Sequence, residues 1–347
     1  MNNNLAFPEV GTPHIVVLGA GAIGGYIGGC LAVAGANITF LGRSTMQDVV
    51  KAHGYTLTDL HGRQAKLEAS RIRFQTDAQV LQLADYVLVT VKSRDTLAAA
   101  DMLRMHAKPH ATIVSFQNGV GNAEMLAQQL PQMNVIAGMV PFNVVTLPHG
   151  HLHCGTEGQL CAQSNPALTP LNIYFEKAGL AIQQYINFQE VQWGKLILNL
   201  NNAVNALSNL PLKEELSQHA YRKCLALLIA ETLKVLVHAN IRPAKVSKVS
   251  AKLLPYVLRT PDFLFKRLAA GMLKIDEKAR SSMWEDLQHK RTTEVNELNG
   301  AVVALAKSIG SSAPLNARMV ALVQRAEQDS LKALSGDAML QQLQLAT

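Results

Sequence analysis

The sequence predicts a parallel α/β domain followed by an all-helical domain. Over the first half of the chain, short β-rich runs alternate with helical patterns, which is typical of βαβ units on a parallel sheet. From about residue 187 helical periodicity dominates to the end, without strand-like alternation. We therefore divide the 347 residues into a flexible leader (1–13), an α/β domain (14–186) and a helical domain (187–347).

The elements of the α/β domain follow one another in a regular order. A buried strand at 14–19 leads into an apolar helix at 22–35, and a second strand follows at 38–42. Further strands are predicted at 85–92 and 111–116, helices at 96–107 and 121–130, and later strands with turns at 134–147 and 151–162. In the second domain, helices are predicted at 188–208, 217–240, 243–258, 291–309 and 315–334.

Composition excludes several classes of protein. Hydrophobic residues make up 48% and charged residues 16%, which fits a globular chain with real cores and not a disordered one. No apolar run reaches the roughly 18 residues of a membrane span, so no membrane partner is expected. The N-terminus lacks the basic start and apolar run of a secretory signal, which favours a cytoplasmic protein.

The net charge of +7 allows two interpretations. It could serve nucleic acid, or an anionic cofactor together with an anionic small substrate. The basic residues are scattered and few aromatics lie among them for base stacking, so no nucleic-acid partner is expected. Charge alone does not decide between these partners.

The cysteines predict neither a disulfide framework nor a metal site. Cys154 and Cys161 follow His151 and His153, a group that could be taken for a zinc cluster, but the spacing fits no standard site. No CxxC pair occurs among the four cysteines, which are Cys30, Cys154, Cys161 and Cys224. Free thiols in a reducing cytoplasm and no bound metal are the better interpretation.

A GxGxxG motif lies between the first strand and the first helix. In the Rossmann type of dinucleotide-binding domain, the first glycine permits a tight turn, the second lets a pyrophosphate approach the backbone and the third lets helix and strand pack closely. The helix N-terminus then offers unpaired N–H groups to the phosphates. The alternative is a glycine-rich turn without a ligand. The predicted cofactor residues are Gly19, Ala20, Gly21, Ala22, Ile23 and Gly24.

The end of the second strand predicts which dinucleotide binds. An NAD site usually places Asp or Glu there for the ribose 2′-hydroxyl. Between Glu9 and Asp48 the chain has no acidic residue, and Arg43, followed by Ser44, occupies the expected place. A guanidinium would pair with a 2′-phosphate, so NADP(H) is favoured, with Arg43 and Ser44 in its site. The alternative is an ordinary solvated arginine.

Two later strand ends carry further candidates for the ligand side of the sheet. Lys92 ends the strand 85–92 and could touch phosphate or substrate, although a plain strand-end lysine is nearly as reasonable. Asn118 lies in the turn QNGVG after the strand 111–116. Asn-Gly is first of all a turn signal, but an amide here could also contact the ribose or the substrate.

The segment WGKLILNLNNAVNALSNL, residues 193–210, places a lysine and five asparagines in a core-like helix. On one helix, Lys195, Asn199 and Asn202 share a stripe, with Asn205 at its edge and Asn201 on another face. The stripe is either a solvated face or the polar lining of a site. Asn is a poor helix former, which favours the site, where a partly buried lysine of lowered pKa could donate a proton.

Two more polar side chains interrupt the helical domain. Glu294 points towards the packed side of the predicted helix 291–309, so it either meets a structural partner or lines a site. Ser282 is followed three residues later by Glu285, which matches a capping box. The structural interpretation is therefore the stronger one for Ser282.

The chain resembles the ketopantoate reductase (2-dehydropantoate 2-reductase) family from about His14 to residue 330. The order and spacing of its matching blocks carry the resemblance, because any one block alone would be weak. The resemblance implies a 6-phosphogluconate dehydrogenase-like arrangement of a Rossmann domain and an all-α domain. The blocks are LGAGAIGG with Arg43, VTVK at 89–92, QNGVG at 117–121, WGKLILN at 193–199, SSMWEDL at 281–287 and RTTEVNELNG at 291–300.

The resemblance implies NADPH-dependent reduction of ketopantoate to pantoate, a precursor of pantothenate and coenzyme A. Lys195 matches the family's catalytic lysine and Glu294 its acidic partner. Ser282 matches the serine that contacts the substrate carboxylate, Asn118 an asparagine near nicotinamide ribose and substrate, and Asn199 a substrate-contacting asparagine. An ammonium beside the keto oxygen would stabilise its growing charge and then protonate it.

The sequence also departs from the family pattern and leaves rival functions open. Family members commonly have an Asn-Pro-Leu-Thr-like segment after the lysine; here it is NNAVNAL, one residue shorter. Asn202 is its equivalent asparagine, and Asn205 stands where threonine is usual. The rivals are a reductase of another 2-oxo or 3-oxo acid and a non-catalytic NADP-sensing protein. Apolar helices such as 224–237 could form the interface of a homodimer as easily as a core.

Overall fold

The computed structural model describes residues 12–245, 249–268, 279–329 and 331–346. The predicted leader falls almost entirely outside the described residues, as does part of the predicted helix 243–258. The chain divides between residues 188 and 189 into two compact units.

The first unit contains twelve strands and five α-helices in its described part. The helices are α1 (Ala22–Val33), α2 (Ser44–His53), α3 (Thr96–His106), α4 (Asn122–Gln129) and α5 (Thr169–Lys177). The first six strands are β1 (His14–Leu18), β2 (Asn37–Leu41), β3 (Tyr55–Asp59), β4 (Gln64–Leu67), β5 (Arg73–Gln75) and β6 (Tyr86–Val89). The others are β7 (Thr112–Ser115), β8 (Asn134–Met139), β9 (Val144–Leu147), β10 (His151–Cys154), β11 (Cys161–Gln163) and β12 (Gln183–Tyr185).

The main sheet is doubly wound around β1. Its strand order is β5-β2-β1-β6-β7-β8-β11-β12, and the first six strands run parallel. Leu18, at the end of β1, pairs with Leu41 of β2 on one side and Val89 of β6 on the other. The order reverses beside β1, and open α/β sheets bind ligands at the carboxyl ends of strands at such a point. The predicted fold class of this domain is confirmed.

The run HIVVLG is apolar throughout because both faces of β1 are covered. Ile15 and Val17 belong to one buried cluster, which contains residues of α1, while Val16 and Leu18 belong to another, which contains residues of α3. A parallel strand covered on both faces loses the alternating pattern of a half-exposed strand. Its continuous hydrophobicity therefore places β1 at the centre of the sheet.

A second, four-stranded sheet was not predicted. Its order is β4-β3-β10-β9, with β3 and β10 parallel and the outer pairs antiparallel. The predicted strand region 134–147 is divided between the two sheets, since β8 ends at Met139 and β9 begins at Val144. Pro141 lies between them and cannot donate to a ladder, which accounts for the break.

The second unit contains helices and no strand among its described residues, as predicted. Its long central helix α9 contacts α7, α8, α10, α13, α14 and α15. None of the helices in the described ranges is long and apolar enough to cross a membrane. The helices are α6 (Phe188–Asn199), α7 (Asn201–Ser208), α8 (Leu212–Ser217), α9 (His219–His238), α10 (Leu254–Leu258), α11 (Asp262–Leu268), α12 (Ser282–Gln288), α13 (Asn299–Ser308), α14 (Pro314–Glu327) and α15 (Gly336–Gln344).

Four predicted helices differ from the structure, and one of them, 315–334, ends early at Glu327. The predicted helix 188–208 is divided at Leu200, although the Leu200 amide still donates to Leu196 O over 3.0 Å. In the described part of 243–258, only Leu254–Leu258 is helical, and Pro255 lies in its first turn, where proline starts helices. The predicted helix 291–309 begins only at Asn299.

Side-chain bonds explain the late start of α13. The Thr293 amide donates to Glu327 Oε1 over 2.7 Å, and the Val295 amide donates to Thr293 Oγ1 over 3.3 Å. Such local and distant side-chain acceptors compete with the helical hydrogen-bond pattern. The segment 291–298 is therefore turn-like, and Glu294 lies on a turn and not on a helix.

Candidate functional site

The glycine turn after β1 is fixed by backbone geometry at its first and third glycines. Gly19 has φ +103°, and a Cβ there would lie 2.7 Å from the Val91 amide nitrogen. A Cβ on Gly24 would lie 2.3 Å from both Gly19 O and Thr90 Oγ1. Both positions therefore require glycine. Thr90, which sequence reasoning missed, holds the turn by donating its hydroxyl to Gly19 O over 2.8 Å.

The middle glycine has open space beside it. A Cβ on Gly21 would meet nothing within 4 Å. Gly21 is the N-cap of α1, no side chain caps the helix there, and its first turn contains no acidic residue. The N–H groups of an uncapped helix start are a ready site for a phosphate group. The turn thus fits the pyrophosphate of a dinucleotide, and Ala20, buried at 4% exposure, can take part only through its backbone.

Arg43 lies at the carboxyl end of β2, where the sequence places it. It is the N-cap residue of α2, and Ser44 is the exposed first residue of that helix. The Arg43 side chain is 80% exposed, and its Nη2 lies 3.8 Å from Asp95 Oδ2. An exposed ion pair of this length contributes little to the free energy of folding, so the guanidinium can leave Asp95 and bind another anion. Asp95 comes from the segment after β6, far along the chain from the acid-free interval between Glu9 and Asp48.

Lys92 and Asn118 lie in two loops that are tied together. Lys92 is half-buried just after β6, and Asn118 is exposed just after β7. Ser93 Oγ donates to Asn118 O over 2.9 Å, and Asn122 Nδ2 donates to the same oxygen over 2.6 Å and to Ser93 Oγ over 3.0 Å. The position of the Asn118 backbone is therefore set by two buried side chains.

A second layer of polar residues supports this contact. Thr96 Oγ1 lies 2.7 Å from Ser93 O and accepts a hydrogen bond of 2.8 Å from Gln117 Nε2. Gln117 Oε1 in turn accepts from Ser115 Oγ over 2.9 Å. These residues were not predicted from the sequence. The run of polar residues after β6 and around the end of β7 could have indicated them.

In the helical unit, Lys195 and the first four asparagines of the segment 193–210 divide into two groups by burial. Lys195, Asn199 and Asn202, the three residues predicted to share a stripe, are all half-buried. Asn201 and Asn205, in contrast, are 9% and 0% exposed. The division at Leu200 does not disturb this pattern.

The asparagines outside the stripe have structural partners. Asn201 Nδ2 donates to Glu215 Oε2 over 3.1 Å, and Asn205 Oδ1 accepts from the Ser281 amide over 2.9 Å. Asn209 ends α7 with φ +55°, and its Oδ1 accepts from Trp284 Nε1 over 2.7 Å. The role of Asn205 is thus packing, and not the margin of the stripe.

Two predicted site residues have another local setting than expected. The capping interpretation of Ser282 is wrong, because the N-cap of α12 is Ser281, whose Oγ accepts from the Trp284 amide over 3.2 Å. Ser282 is the exposed first residue of the helix, so its hydroxyl is not used as the cap. Glu294 is half-buried in the turn before α13.

Within each unit the structure brings several predicted residues together. The glycine turn, Arg43, Lys92 and Asn118 all follow neighbouring parallel strands of the main sheet, at one edge of it. In the helical unit, α12, which begins with Ser282, packs against α7, which contains Asn202. The first group can hold a dinucleotide, and the second offers hydroxyl and amide groups to a polar ligand.

Comparisons with known proteins agree with this geometry. The family model described as Ketopantoate reductase PanE/ApbA matches residues 15–166, and the model of its C-terminal domain matches residues 187–327. A 2-dehydropantoate 2-reductase of Halobacterium salinarum is 28% identical over 91% of this chain and 99% of the relative. One of Archaeoglobus fulgidus is 24% identical over 90% of this chain and 98% of the relative.

Solved structures show the same fold. A PanE/ApbA family ketopantoate reductase from Ralstonia eutropha has a TM-score of 0.78 and 27% identity, covering 91% of this chain and 99% of its own. D-mandelate dehydrogenase, solved with NADH and anilino(oxo)acetate, has a TM-score of 0.76, and the same shares are covered. At 17% identity that second likeness concerns the fold alone. The two family models together match most of the chain, and the protein therefore belongs to the ketopantoate reductase family of oxidoreductases.

Proposed function

We propose that the protein is an NADPH-dependent reductase that converts 2-dehydropantoate (ketopantoate) into pantoate. The observation that carries this proposal is the division of the segment 193–210. Lys195, Asn199 and Asn202, the residues predicted to share a stripe, are half-buried, while the neighbouring Asn201 and Asn205 are buried and bonded to structural partners. The names of the curated relatives, 2-dehydropantoate 2-reductase, support the choice of substrate.

The cofactor is proposed to bind at the glycine turn of the first unit. Its pyrophosphate would lie over Gly21, against the uncapped start of α1. The 2′-phosphate of NADPH would meet the guanidinium of Arg43 and the hydroxyl of Ser44, which are both exposed at the end of β2. Lys92 and Asn118 would contact the nicotinamide half. When bound, NADPH supplies the hydride.

The protein's own groups would supply the proton and hold the substrate. Reduction of the 2-oxo group adds one hydride at carbon and one proton at oxygen, which gives the 2-hydroxy acid. Lys195 Nζ would hydrogen-bond the keto oxygen, stabilise the charge that develops there and give it the proton. Glu294 would assist the lysine. Asn118, Asn199, Asn202 and the hydroxyl of Ser282 would orient the carboxylate and hydroxyl groups of the acid.

A steady-state assay of NADPH oxidation with ketopantoate tests the proposal. We expect turnover with NADPH and weaker use of NADH. The Lys195→Ala variant should lose about a thousand-fold in kcat, because both the proton donor and the stabilising charge are removed. Lys223→Ala is the matched control, since Lys223 is exposed on α9 outside this site. Reduction at the wild-type rate by Lys195→Ala would overturn the proposal.

A second candidate is reduction of a different 2-oxo acid on the same fold. D-mandelate dehydrogenase, which shares the fold, was solved with anilino(oxo)acetate, so the assay panel includes aromatic and aliphatic 2-oxo and 3-oxo acids. Departure from the family pattern at Asn205 does not favour this candidate, because Asn205 is buried and bonded to Ser281.

Cofactor binding without turnover of any acid would favour an NADP-sensing protein instead. A cytoplasmic homodimer remains a prediction.

A further inference from the structure

Glu215 has a buried carboxyl group that meets no cation within the described parts of the chain. It lies on α8 and is 0% exposed. Its Oε2 accepts from Asn201 Nδ2 over 3.1 Å and from Asn205 Nδ2 over 3.5 Å. Buried carboxylates are rarely found unpaired, because removal of the ion from water costs several kcal/mol or more. The two amides are neutral and cannot balance a negative charge, so the protonation state of the carboxyl group needs an explanation.

Two buried oxygen atoms of this cluster lack a hydrogen-bond partner in the described part of the chain, and a proton on the carboxyl group would account for both. Among the described residues, Glu215 Oε1 and Asn201 Oδ1 are both buried without a hydrogen-bond partner. A carboxylate has only acceptor atoms, so an ionised Glu215 could not donate to Asn201 Oδ1, and Glu215 Oε1 and Asn201 Oδ1 would both stay unsatisfied. A carboxylic acid carries one O–H donor, and an amide paired with an acid can form two reciprocal hydrogen bonds. A proton on Oε1, donated to Asn201 Oδ1, would satisfy both atoms at once.

Among the described residues, no cation offsets the burial of the Glu215 carboxyl group. Tyr221 and Cys224 on α9 interact with Glu215, and neither is a cation. The buried guanidinium of Arg222 is directed to Asp262 Oδ1 over 2.7 Å and to carbonyl oxygens. Arg280 donates to Asn209 O and stacks on the ring of Trp284. Burial raises the pKa of Glu215 to about 8, while the two amides act in the opposite direction.

The cluster is joined to the proposed substrate residues. Asn205, whose amide nitrogen lies 3.5 Å from Glu215, accepts the Ser281 amide on its oxygen over 2.9 Å. Ser281 Oγ donates to Asn202 O over 3.2 Å, and the same oxygen caps α12, which begins with Ser282. The chain of contacts therefore runs from Glu215 through Asn205 and Ser281 to both Asn202 and Ser282.

We infer that Glu215 is held as a neutral carboxylic acid and serves as a positioning residue that fixes Asn202 and Ser282 relative to each other. The second half of this inference rests on the proposed function, in which those two residues contact the 2-oxo acid. The first half concerns the folded protein alone and can be tested without a substrate.

The protonation state is tested by thermal unfolding of the wild type and Glu215→Gln from pH 5 to pH 8. Glutamine has one acceptor oxygen and an N–H donor, so it can replace both bonds of the acid but not the charge of a carboxylate. A carboxyl group whose pKa is raised by folding stabilises the protein below its unfolded pKa and loses that contribution as pH rises through the folded value. Glutamine has no such proton to lose.

We expect equal Tm values at pH 5 and a Tm for Glu215→Gln that exceeds the wild-type value by about 3 °C or more at pH 8. Glu214→Gln, on the exposed side of the same helix, is the matched control and should track the wild type. The inference that Glu215 is neutral would be overturned if the Tm difference between Glu215→Gln and the wild type stayed constant or fell as pH rises.

The positioning role is tested by the KM for ketopantoate. In the wild type, ionisation of Glu215 above about pH 8 should raise KM several-fold without changing the Kd for NADPH. Glu215→Gln should remove that rise, and Glu215→Leu should show a KM about tenfold higher at every pH, with a smaller change in kcat. If KM for ketopantoate changed with pH in the same way in the wild type and Glu215→Gln, the positioning role of Glu215 would be overturned. If the wild type reduces no 2-oxo acid, the proposed function fails, while the Tm comparison still decides the state of Glu215.

Discussion

The glycine turn of the first unit and the asparagine segment of the second unit need their particular residue types for different reasons. Gly19 and Gly24 are required by atoms that lie close in the chain or just after the adjacent strand β6. Asn201 and Asn205 are required by Glu215 and Ser281, which follow them in sequence by 14 and 76 residues. One region is determined by local backbone shape and the other by distant side-chain partners, so substitutions in them should fail for different reasons.

The largest effect is expected at Gly24. A Cβ at this position would lie 2.3 Å from the backbone oxygen of Gly19, so the turn or helix α1 must move. We expect Gly24→Ala to lower the free energy of unfolding by about 3 kcal/mol or more. Chemical denaturation measures this effect.

Gly21→Ala is the matched control for Gly24→Ala. The added methyl group meets nothing within 4 Å, and φ of −79° suits alanine, so stability should change by less than about 0.5 kcal/mol. The same methyl group would occupy the space proposed for the pyrophosphate, so the Kd for NADPH should rise about tenfold or more. Equal stability loss in both variants would contradict the division of roles within this turn.

An intermediate effect is expected at Asn205. Asn205→Ala leaves the buried Ser281 amide without its acceptor and removes a donor from Glu215. We expect a loss of about 2–3 kcal/mol in the free energy of unfolding, because buried polar groups left unsatisfied are costly. Denaturation at pH 6 measures it.

Asn199→Ala provides the comparison within the same segment. Asn199 is half-buried at the end of α6, so the free energy of unfolding should change by less than about 1 kcal/mol. Loss of a substrate contact should instead raise the KM for ketopantoate about tenfold. A variant of Asn199 that unfolds like Asn205→Ala would remove the distinction between stripe and packing residues.

The comparison also explains what the sequence could predict. The roles of Gly19 and Gly24 follow from the motif, because strand, turn and helix are consecutive in the chain. The start of α13 could not be predicted from periodicity, since Thr293 is held by Glu327, 34 residues later. Ser281 and Ser282 are adjacent serines, and only the observed hydrogen bond from the Trp284 amide decides which of them is the cap.

The division of the asparagines shows the same limit. Helical geometry selects Asn199 and Asn202 as companions of Lys195, and these three residues are indeed the half-buried ones. Geometry alone does not reveal that Asn201 and Asn205 face Glu215, because the partner lies on another helix. A buried acid opposite two amides leaves no periodic signal in the sequence. Long-range polar pairs of this kind are visible only once the helices are packed.

A very small effect on stability is expected at Arg43, which belongs to the first unit but acts through an exposed side chain. Arg43→Ser should raise the Kd for NADPH about 10- to 100-fold, the value of one or two charge-assisted hydrogen bonds to a phosphate. The Kd for NADH should stay unchanged, because NADH lacks the 2′-phosphate. The 3.8 Å contact with Asp95 is exposed, so its loss should change stability by less than about 0.5 kcal/mol.

Fluorescence titration with both cofactors separates the explanations for Arg43. Arg104→Ser is the control, because Arg104 is an exposed arginine on α3 whose partner is Asp101, and it should leave both Kd values unchanged. If Arg43→Ser weakens the binding of NADPH and NADH equally, the guanidinium contacts a chemical group that both cofactors share. The choice between the two cofactors would then depend on other residues, and the absence of an acid between Glu9 and Asp48 would not be sufficient to predict it.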